Sequence, residues 1–331
     1  MTTGHKGTTL VLLGTLIIGL MVFSPGQAQW AQAAFPEKTI TLICPWPPGG
    51  STDLITRTIA KVGAKYISKP IIVVNKPGGN GVVATTEMAR VPADGYSICA
   101  GTTGLFTSTI LVQKKVGYKQ DDFEFLASMT DEPMVITVHP SSPYKSLNEL
   151  IRTFKENGQV IRYSNSGLGG IPQLCGAHLF NFAKVKSQAI PFKGGGPAMI
   201  AILGGHVDVG IAHPGEALPH VMAEKLRVLA ISSPKRFSEM PDVPAFQELG
   251  YTFDVGVRKY LFAPKGLPPD ARQYLVDNLT KVIYDEEFKK AITSMAIMWA
   301  PMTGKEVVDH LNIQYSIMKK LIEELEAQKK N

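Results

Sequence analysis

Residues 47–53 read Pro47-Pro48-Gly49-Gly50-Ser51-Thr52-Asp53, and this stretch follows the apolar run 39–44. Behind it, apolar residues recur at helical spacing from Ile55 to Tyr66. A buried strand that enters an amphipathic helix through a tight glycine turn is the repeating unit of α/β sheets. Glycine lets the backbone approach a ligand closely, and the first helical turn carries unpaired N–H groups. The stretch therefore predicts a strand–turn–helix unit whose helix start is able to bind an anion.

Two further glycine-rich turns occupy the same kind of position. Residues 164–170 read Ser-Asn-Ser-Gly-Leu-Gly-Gly, and residues 193–197 read Lys-Gly-Gly-Gly-Pro. Each follows a predicted strand and precedes a predicted helix. One such turn is as easily a plain tight connection, but three on one chain favour a shared site. In open α/β sheets the ligand crevice lies at the carboxyl ends of the strands, where these turns are expected.

The rest of the chain alternates apolar runs with amphipathic segments, which is typical of repeated βα units. Continuous apolar runs are characteristic of parallel strands that are covered on both faces. We expect the run 133–139 to make the first crossing between two sheets, and the apolar stripe 308–325 to be a surface helix packed on the core. The predicted strands are 39–44, 70–75, 96–101, 133–139, 160–164, 188–193, 207–213, 226–232 and 260–264.

The N-terminus has the pattern of a secretory signal peptide. Lys6 precedes the uncharged apolar run 10–23, which is followed by Ser-Pro-Gly at 24–26 and by Ala-Gln-Ala at 31–33. The apolar run has about 14 residues, whereas a bilayer span needs about 20. We therefore predict that residues 1–33 are a signal peptide cleaved after Ala33, and that the mature protein is periplasmic.

Composition and motifs disfavour several other classes of protein. The 331 residues are 44% hydrophobic and 19% charged, and the net charge of +6 is dispersed without basic runs, which predicts no nucleic-acid partner. The three cysteines, Cys44, Cys99 and Cys175, have no metal-ligand spacing. The chain contains no dinucleotide fingerprint, P-loop, nucleophile elbow or zinc-protease motif. We predict a binding protein without catalytic residues, metal or cofactor.

At its motifs the chain resembles the receptors of tripartite tricarboxylate transporters, the TctC or Bug family of solute-binding proteins. The resemblance extends from about Phe35 to the last helix. The motifs, in family order, are 47–53 followed by Arg57, 73–81, 92–96, 191–198, 204–208, 241–244 with 248–250, and 263–266.

This resemblance implies an α/β fold of the type II periplasmic-binding-protein kind, with two lobes joined by crossing strands and a ligand cleft between them. Residues 34–135 and 256–331 would form the first lobe, and 136–255 the second. The implied ligand is a small organic acid, a mono- or dicarboxylate held by neutral groups and bridging water. The implied protein partners are the membrane subunits of a tripartite transporter, with the receptor itself a monomer.

Carried over residue by residue, the resemblance implies contacts from both lobes. The first lobe contributes Gly49, Gly50, Ser51, Thr52, Asp53, Thr102, Thr103 and Gly104. The second contributes Asn165, Ser166, Gly167, Gly169, Lys193 and Gly194. An aspartate at a helix start also caps the helix or meets its dipole, so either role is open for Asp53.

Three further residues complete the predicted set. Trp46 stands where the family more often has a smaller aromatic residue, which predicts a bulkier first-lobe wall. His213 follows the apolar run 207–212 and is either a hydrogen-bonded structural residue or a ligand contact. Arg258 departs from the family pattern and either pairs a second ligand carboxylate bidentately or is a surface charge.

Two other functions share these features. A sensory module that reports ligand occupancy to a membrane kinase would have the same fold and cleft. An exported enzyme on this fold would need a nucleophile and a base within hydrogen-bond reach, which the sequence does not indicate.

Overall fold

The computed structural model describes residues 1–4, 35–113, 115–253 and 255–328, and two β-sheets organise the described chain. The predicted signal peptide lies outside the described residues apart from residues 1–4. The strands are β1 (Ile40–Cys44), β2 (Ile71–Asn75), β3 (Ser97–Thr102), β4 (Phe123–Pro133), β5 (Val135–Val138), β6 (Ile161–Asn165), β7 (Ser187–Pro191), β8 (Val209–Ala212), β9 (Arg227–Ile231), β10 (Gly256–Pro264) and β11 (Trp299–Thr303).

Helices precede or follow most of these strands, as repeated βα units require. They are α1 (Ser51–Gly63), α2 (Val82–Met88), α3 (Thr103–Phe106), α4 (Ser108–Val112), α5 (Leu147–Glu156), α6 (Ile171–Phe182), α7 (Gly195–Leu203), α8 (Pro214–Met222), α9 (Pro269–Tyr284), α10 (Glu286–Ser294) and α11 (Gly304–Gln328). Short 3₁₀ turns occur at Gly79–Gly81, Gln120–Asp122 and Gln247–Leu249.

The first sheet has the strand order β11-β4-β10-β3-β1-β2, and the second has β7-β6-β8-β5-β9. Pairing is parallel around β1 and around β6, as the apolar runs predict. The strands β4, β5, β10 and β11 pair antiparallel, which the parallel expectation does not include. Burial on both faces makes a strand apolar whichever way it runs, so a continuous apolar run does not fix direction.

The chain crosses between the sheets at two places. It leaves the first sheet after Pro133 and enters the second at Val135, within the run expected to make the crossing. It returns between Ile231 and Gly256. On this topology we propose two lobes with boundaries near residues 135 and 255.

The C-terminal helix α11 packs against both sheets. Its Val307 and Leu311 belong to an aromatic core cluster of the first sheet that includes Phe106. Its Met318 and Leu321 belong to the core of the second sheet. Leu311 and Met318 of the predicted stripe therefore lie in the core, whereas Tyr315 of the same stripe is 37% exposed. Within the described residues, no helix is both long and apolar enough to span a bilayer.

Candidate functional site

The three predicted glycine turns each lead into a helix whose start has no side-chain cap. The capping positions are Gly50 before α1, Gly170 before α6 and Gly194 before α7. A helix start offers backbone N–H donors and the positive end of the helix dipole. Because the capping glycines have no side chain, these donors can be bonded by groups from elsewhere, as Glu216 bonds the N–H of Ser51.

Loops that follow strands of both sheets surround one small cavity of about 30 Å³. Seven of the predicted residues line it: Trp46, Gly50, Ser51, Thr52, Thr102, Ser166 and His213. Seven other residues line it as well: Asn80, Gly170, Ile171, Pro172, Gly195, Glu216 and Val257. The lining mixes polar and apolar groups and comes from segments after β1, β2 and β3 and from β10 of the first sheet, and from segments after β6, β7 and β8 of the second.

Several predicted residues shape these loops without lining the cavity. Gly167 has a φ of 153°, and a Cβ there would lie 2.9 Å from the Cβ of Asn80. Gly194 has a φ of 122°, and its Cβ would lie 2.7 Å from the Cδ of Pro47. Both glycines therefore allow a second-sheet loop to approach a first-sheet loop closely. Gly49 and Gly169 also have positive φ, of 86° and 76°.

Thr103, Gly104 and Asn165 are buried structural residues in the same region. The Thr103 hydroxyl accepts the backbone N–H of Arg258 at 2.9 Å and contacts the Tyr260 hydroxyl at 3.0 Å. Asn165 Oδ1 accepts the N–H of Gly167 at 3.1 Å. Its Nδ2 is buried and has no hydrogen-bond partner among the described residues.

The Asp53 side chain points toward the glycine turn that follows β1, and not into the cavity. Its carboxylate accepts the N–H of Gly49 at 3.0 Å, Arg57 Nε at 2.9 Å and Asn75 Nδ2 at 2.8 Å. Burial raises the pKa of this carboxyl, but the hydrogen bonds from Arg57 and Asn75 outweigh it and hold the pKa below its ordinary value. These bonds hold the turn and the start of α1 together, and Asp53 does not line the cavity.

The two predicted cationic contacts also lie apart from the cavity lining. Lys193 is exposed. Arg258 forms a 2.9 Å salt bridge with Asp131 and donates a hydrogen bond to the carbonyl of Ala300 at 2.9 Å. These partners lie on β4 and β11, so the guanidinium is bonded within the first sheet. Arg258 is therefore not among the proposed ligand contacts.

A buried charged network lies next to the cavity, and its two charged members, Lys259 and Glu132, are not among the predictions. Lys259 and Glu132 form an ion pair, and both side chains are fully buried. Ser51 Oγ accepts a hydrogen bond from Lys259 Nζ at 2.8 Å and donates one to Glu132 Oε2 at 2.6 Å. His213 Nδ1 lies 3.5 Å from the same Oε2. Ser51 and His213, which come from the two different lobes, thus both lie next to the Glu132 carboxylate, although His213 Nδ1 has no hydrogen-bond partner among the described residues.

The charges of this network follow from burial and from Lys259. Burial raises the pKa of Glu132, but the Lys259 ammonium more than offsets it and keeps the pKa below its ordinary value. Burial, with a further contribution from Lys259, lowers the pKa of His213. At neutral pH, Glu132 is therefore an anion and His213 is neutral.

Glu216 is a second residue absent from the predictions. Its Oε1 accepts the N–H of Ser51 at 3.2 Å, and its Oε2 accepts the N–H of His213 at 3.3 Å. The second bond is that of a capping box at the start of α8. The sequence does carry this local signal, as Pro214-Gly215-Glu216 after an apolar run. No local pattern indicates the bond to Ser51, because it joins the two lobes.

Residues 55–326 match the family described as "Tripartite tricarboxylate transporter family receptor", TctC. The chain belongs to this family. The TctC family consists of periplasmic solute-binding receptors and not of enzymes. Within the described residues, no cluster of three or more His, Cys, Asp or Glu is placed to hold a metal ion.

Relatives and solved structures agree with this assignment. This chain is 32% identical to Protein BugT of Bordetella pertussis over 76% of its own length and 79% of that protein. It is 29% identical to the structure of the periplasmic binding protein BugD, with a TM-score of 0.83 over 88% of this chain and 98% of that one. It is 25% identical to MatC of Rhodopseudomonas palustris with bound malate, with a TM-score of 0.81 over 87% of this chain and the full length of that one.

Proposed function

We propose that this TctC-family chain captures a small organic carboxylate in the cleft between its two lobes and presents it to the membrane subunits of a tripartite transporter. It would act in the periplasm as a monomer, after removal of residues 1–33. The single observation that carries the proposal is that the starts of α1, α6 and α7, each preceded by a glycine N-cap, meet from both lobes at one cavity. Such starts bind carboxylates through backbone N–H groups.

The proposed contacts come from the residues that line the cavity. Gly50, Ser51 and Thr52 supply the start of α1, and Thr102 supplies a hydroxyl next to it. Ser166 and Gly170 approach from the second lobe at the start of α6. MatC, whose structure holds malate, supports a carboxylate ligand for this chain.

Ligand entry requires the lobes to move apart. A cavity of about 30 Å³ is far smaller than the ~300 Å³ or more of usual small-molecule pockets. The crossings at 133–135 and 231–256 are the covalent connections about which the two sheets can separate. We therefore expect binding and lobe closure to be one coupled event.

Calorimetric titration of the mature protein with C4 to C6 mono- and dicarboxylates tests the capture step. We expect at least one of them to bind with micromolar or tighter affinity, about 8 kcal/mol of binding free energy. Affinity only for neutral sugars or for cations would contradict the proposal. The delivery step is tested by uptake of the identified acid in cells that lack this gene, where uptake should be lost and restored by the intact gene.

A further inference from the structure

The carboxylate of Glu216 lies inside the proposed cleft, at the place where a bound anion would meet the start of α1. The residue is 9% exposed and lines the cavity. Its Oε1 accepts the N–H of Ser51, the first residue of α1, from the opposite lobe. One of the donors suited to a ligand carboxylate is thus already used by a side chain of the protein.

The surrounding backbone is shaped to admit this carboxylate. A Cβ at Gly195, the first residue of α7, would lie 2.0 Å from Glu216 Oε1. A Cβ at Gly50 would lie 3.4 Å from the same atom. Glycine at Gly195 therefore leaves the space that the Glu216 carboxylate occupies. Residues of both lobes, Ser51 and Gly195, therefore determine the position of the Glu216 carboxylate.

The negative charge of Glu216 has no matching cation. Among the described residues, no ion pair within 4.0 Å joins Glu216 to a Lys or Arg side chain. Lys259 is committed to Glu132 and Ser51. His213, whose backbone N–H bonds Glu216, is neutral at neutral pH because burial lowers the pKa of its imidazole. The group of Lys259, Glu132 and Glu216 thus carries one net negative charge next to the cavity.

We propose that Glu216 determines the ligand class: the bound carboxylate also carries a hydrogen-bond donor, an ammonium or amide N–H, that pairs with Glu216. The inference rests on the proposed function, because it assumes a carboxylate in this cleft. The helix start at Gly170 holds the ligand carboxylate, and Glu216, which lies against the helix start at Gly195, receives the donor. An acid with no donor brings a second negative charge close to Glu216 in a water-poor cleft, where like charges repel strongly.

Matched pairs of acids test the inference without any substitution. The pairs are succinate with aspartate, glutarate with glutamate, adipate with 2-aminoadipate, and succinate with succinamate. In the first three pairs the second acid adds an ammonium group to the same dicarboxylate, whereas succinamate replaces one carboxylate of succinate with an amide. In every pair with measurable binding to the wild-type protein, we expect the donor-bearing acid to bind at least about tenfold more tightly by calorimetry. Equal or tighter binding of the acid without a donor would overturn the inference.

Glu216→Gln then tests whether this residue is the cause. The variant keeps the shape and removes the charge, so the preference within a pair should fall at least about tenfold. Glu224→Gln, at an exposed residue just beyond the end of α8, should leave the preference unchanged. Circular dichroism and a thermal melt establish that both variants fold. An unchanged preference in folded Glu216→Gln would refute the role of Glu216.

The two proposals fail in different ways. If dicarboxylates bind the wild-type protein and Glu216→Gln makes no difference, carboxylate capture stands and only the role of Glu216 falls. If no acid of any pair binds, and neither does any other carboxylate, both proposals fall.

Discussion

The ammonium of Lys259 and the carboxylate of Glu132 pair across the adjacent strands β10 and β4, with no exposed surface on either side chain. Both strands lie in the interior of the first sheet. Ser51 Oγ bonds to both charges, so the start of α1 is attached to the pair. The position of one cleft-lining helix start therefore depends on an ion pair in the sheet beneath it.

Lys259→Met should strongly destabilise the fold. The substitution leaves the Glu132 carboxylate buried without its cation, and breaking a buried pair in this way costs about 3–5 kcal/mol. Urea unfolding followed by circular dichroism measures the change. The matched control is Lys305→Met, which removes an exposed pair with Asp309 and should change the free energy of unfolding far less, because exposed ion pairs are screened by solvent. The double variant Lys259→Met/Glu132→Leu should recover much of the lost stability. Equal free energies of unfolding for Lys259→Met and Lys305→Met would contradict the prediction.

The half-buried His310 should make the fold less stable as the pH falls. Burial, with a smaller contribution from Arg258, lowers its pKa from 6.5 to about 4. The unfolded chain takes up this proton near pH 6.5 and the folded chain near pH 4, so protonation favours the unfolded state between these values. The contribution is complete above pH 6.5 and is lost as the pH falls toward 4.

Urea midpoints measured at pH 7 and pH 5 test this contribution. In His310→Gln, the midpoint should fall less between the two pH values than it does in the wild type. His178 and His213, whose pKa values are also lowered, remain in the variant, so a smaller pH dependence should persist. An identical fall in variant and wild type would show that His310 titrates alike in the folded and unfolded chains.

Gly195→Ala should lower ligand affinity at least about tenfold. The new methyl group would lie 2.0 Å from Glu216 Oε1, so the carboxylate or the start of α7 has to move. Lys193→Ala, two residues earlier in an exposed position, should have less effect. Titration of the two folded variants with the acid found for the wild type compares them. Loss of binding in Lys193→Ala with full binding in Gly195→Ala would show that an ion pair grips the ligand.

Leu311→Ala should destabilise the fold by about 2–5 kcal/mol, because the side chain is fully buried in the aromatic cluster. Ile313→Ala on the same helix is the control, since 61% of Ile313 is exposed. Its substitution should cost about 0.5 kcal/mol or less. Chemical unfolding of the two variants in parallel gives the difference, and equal losses would mean that α11 does not contribute through its buried face.

The sequence predicts those elements that have a local signal, such as an apolar run or a glycine turn. Strands such as β1 and β8 are apolar runs, and the glycine turns mark three helix starts that the structure brings to the cleft region. The strand β4 is not predicted because Ser128, Thr130 and Glu132 interrupt its apolar pattern, although all three are buried. A polar residue in a sequence indicates solvent until its partner in another strand is known.

The predicted and unpredicted residues of the site differ for the same reason, because the distant partner of a polar residue is not visible in the sequence. Ser51 and Thr52 lie in a turn whose composition points to anion binding. Lys259 and Glu216 are recognised only when strands and lobes are in place, since their partners lie 127 and 165 residues away. Local sequence patterns predict helix starts and strands, whereas charge pairs between distant segments are seen only in the folded structure.

The helix α11 gives opening of the cleft a mechanical consequence. Val307 and Leu311 are fixed in one core and Met318 and Leu321 in the other. If the lobes rotate apart, residues 312–317, about 9 Å of helix, have to bend unless one pair leaves its core. On the proposed function, bending of this helix would therefore oppose separation of the lobes and favour their return to the closed arrangement.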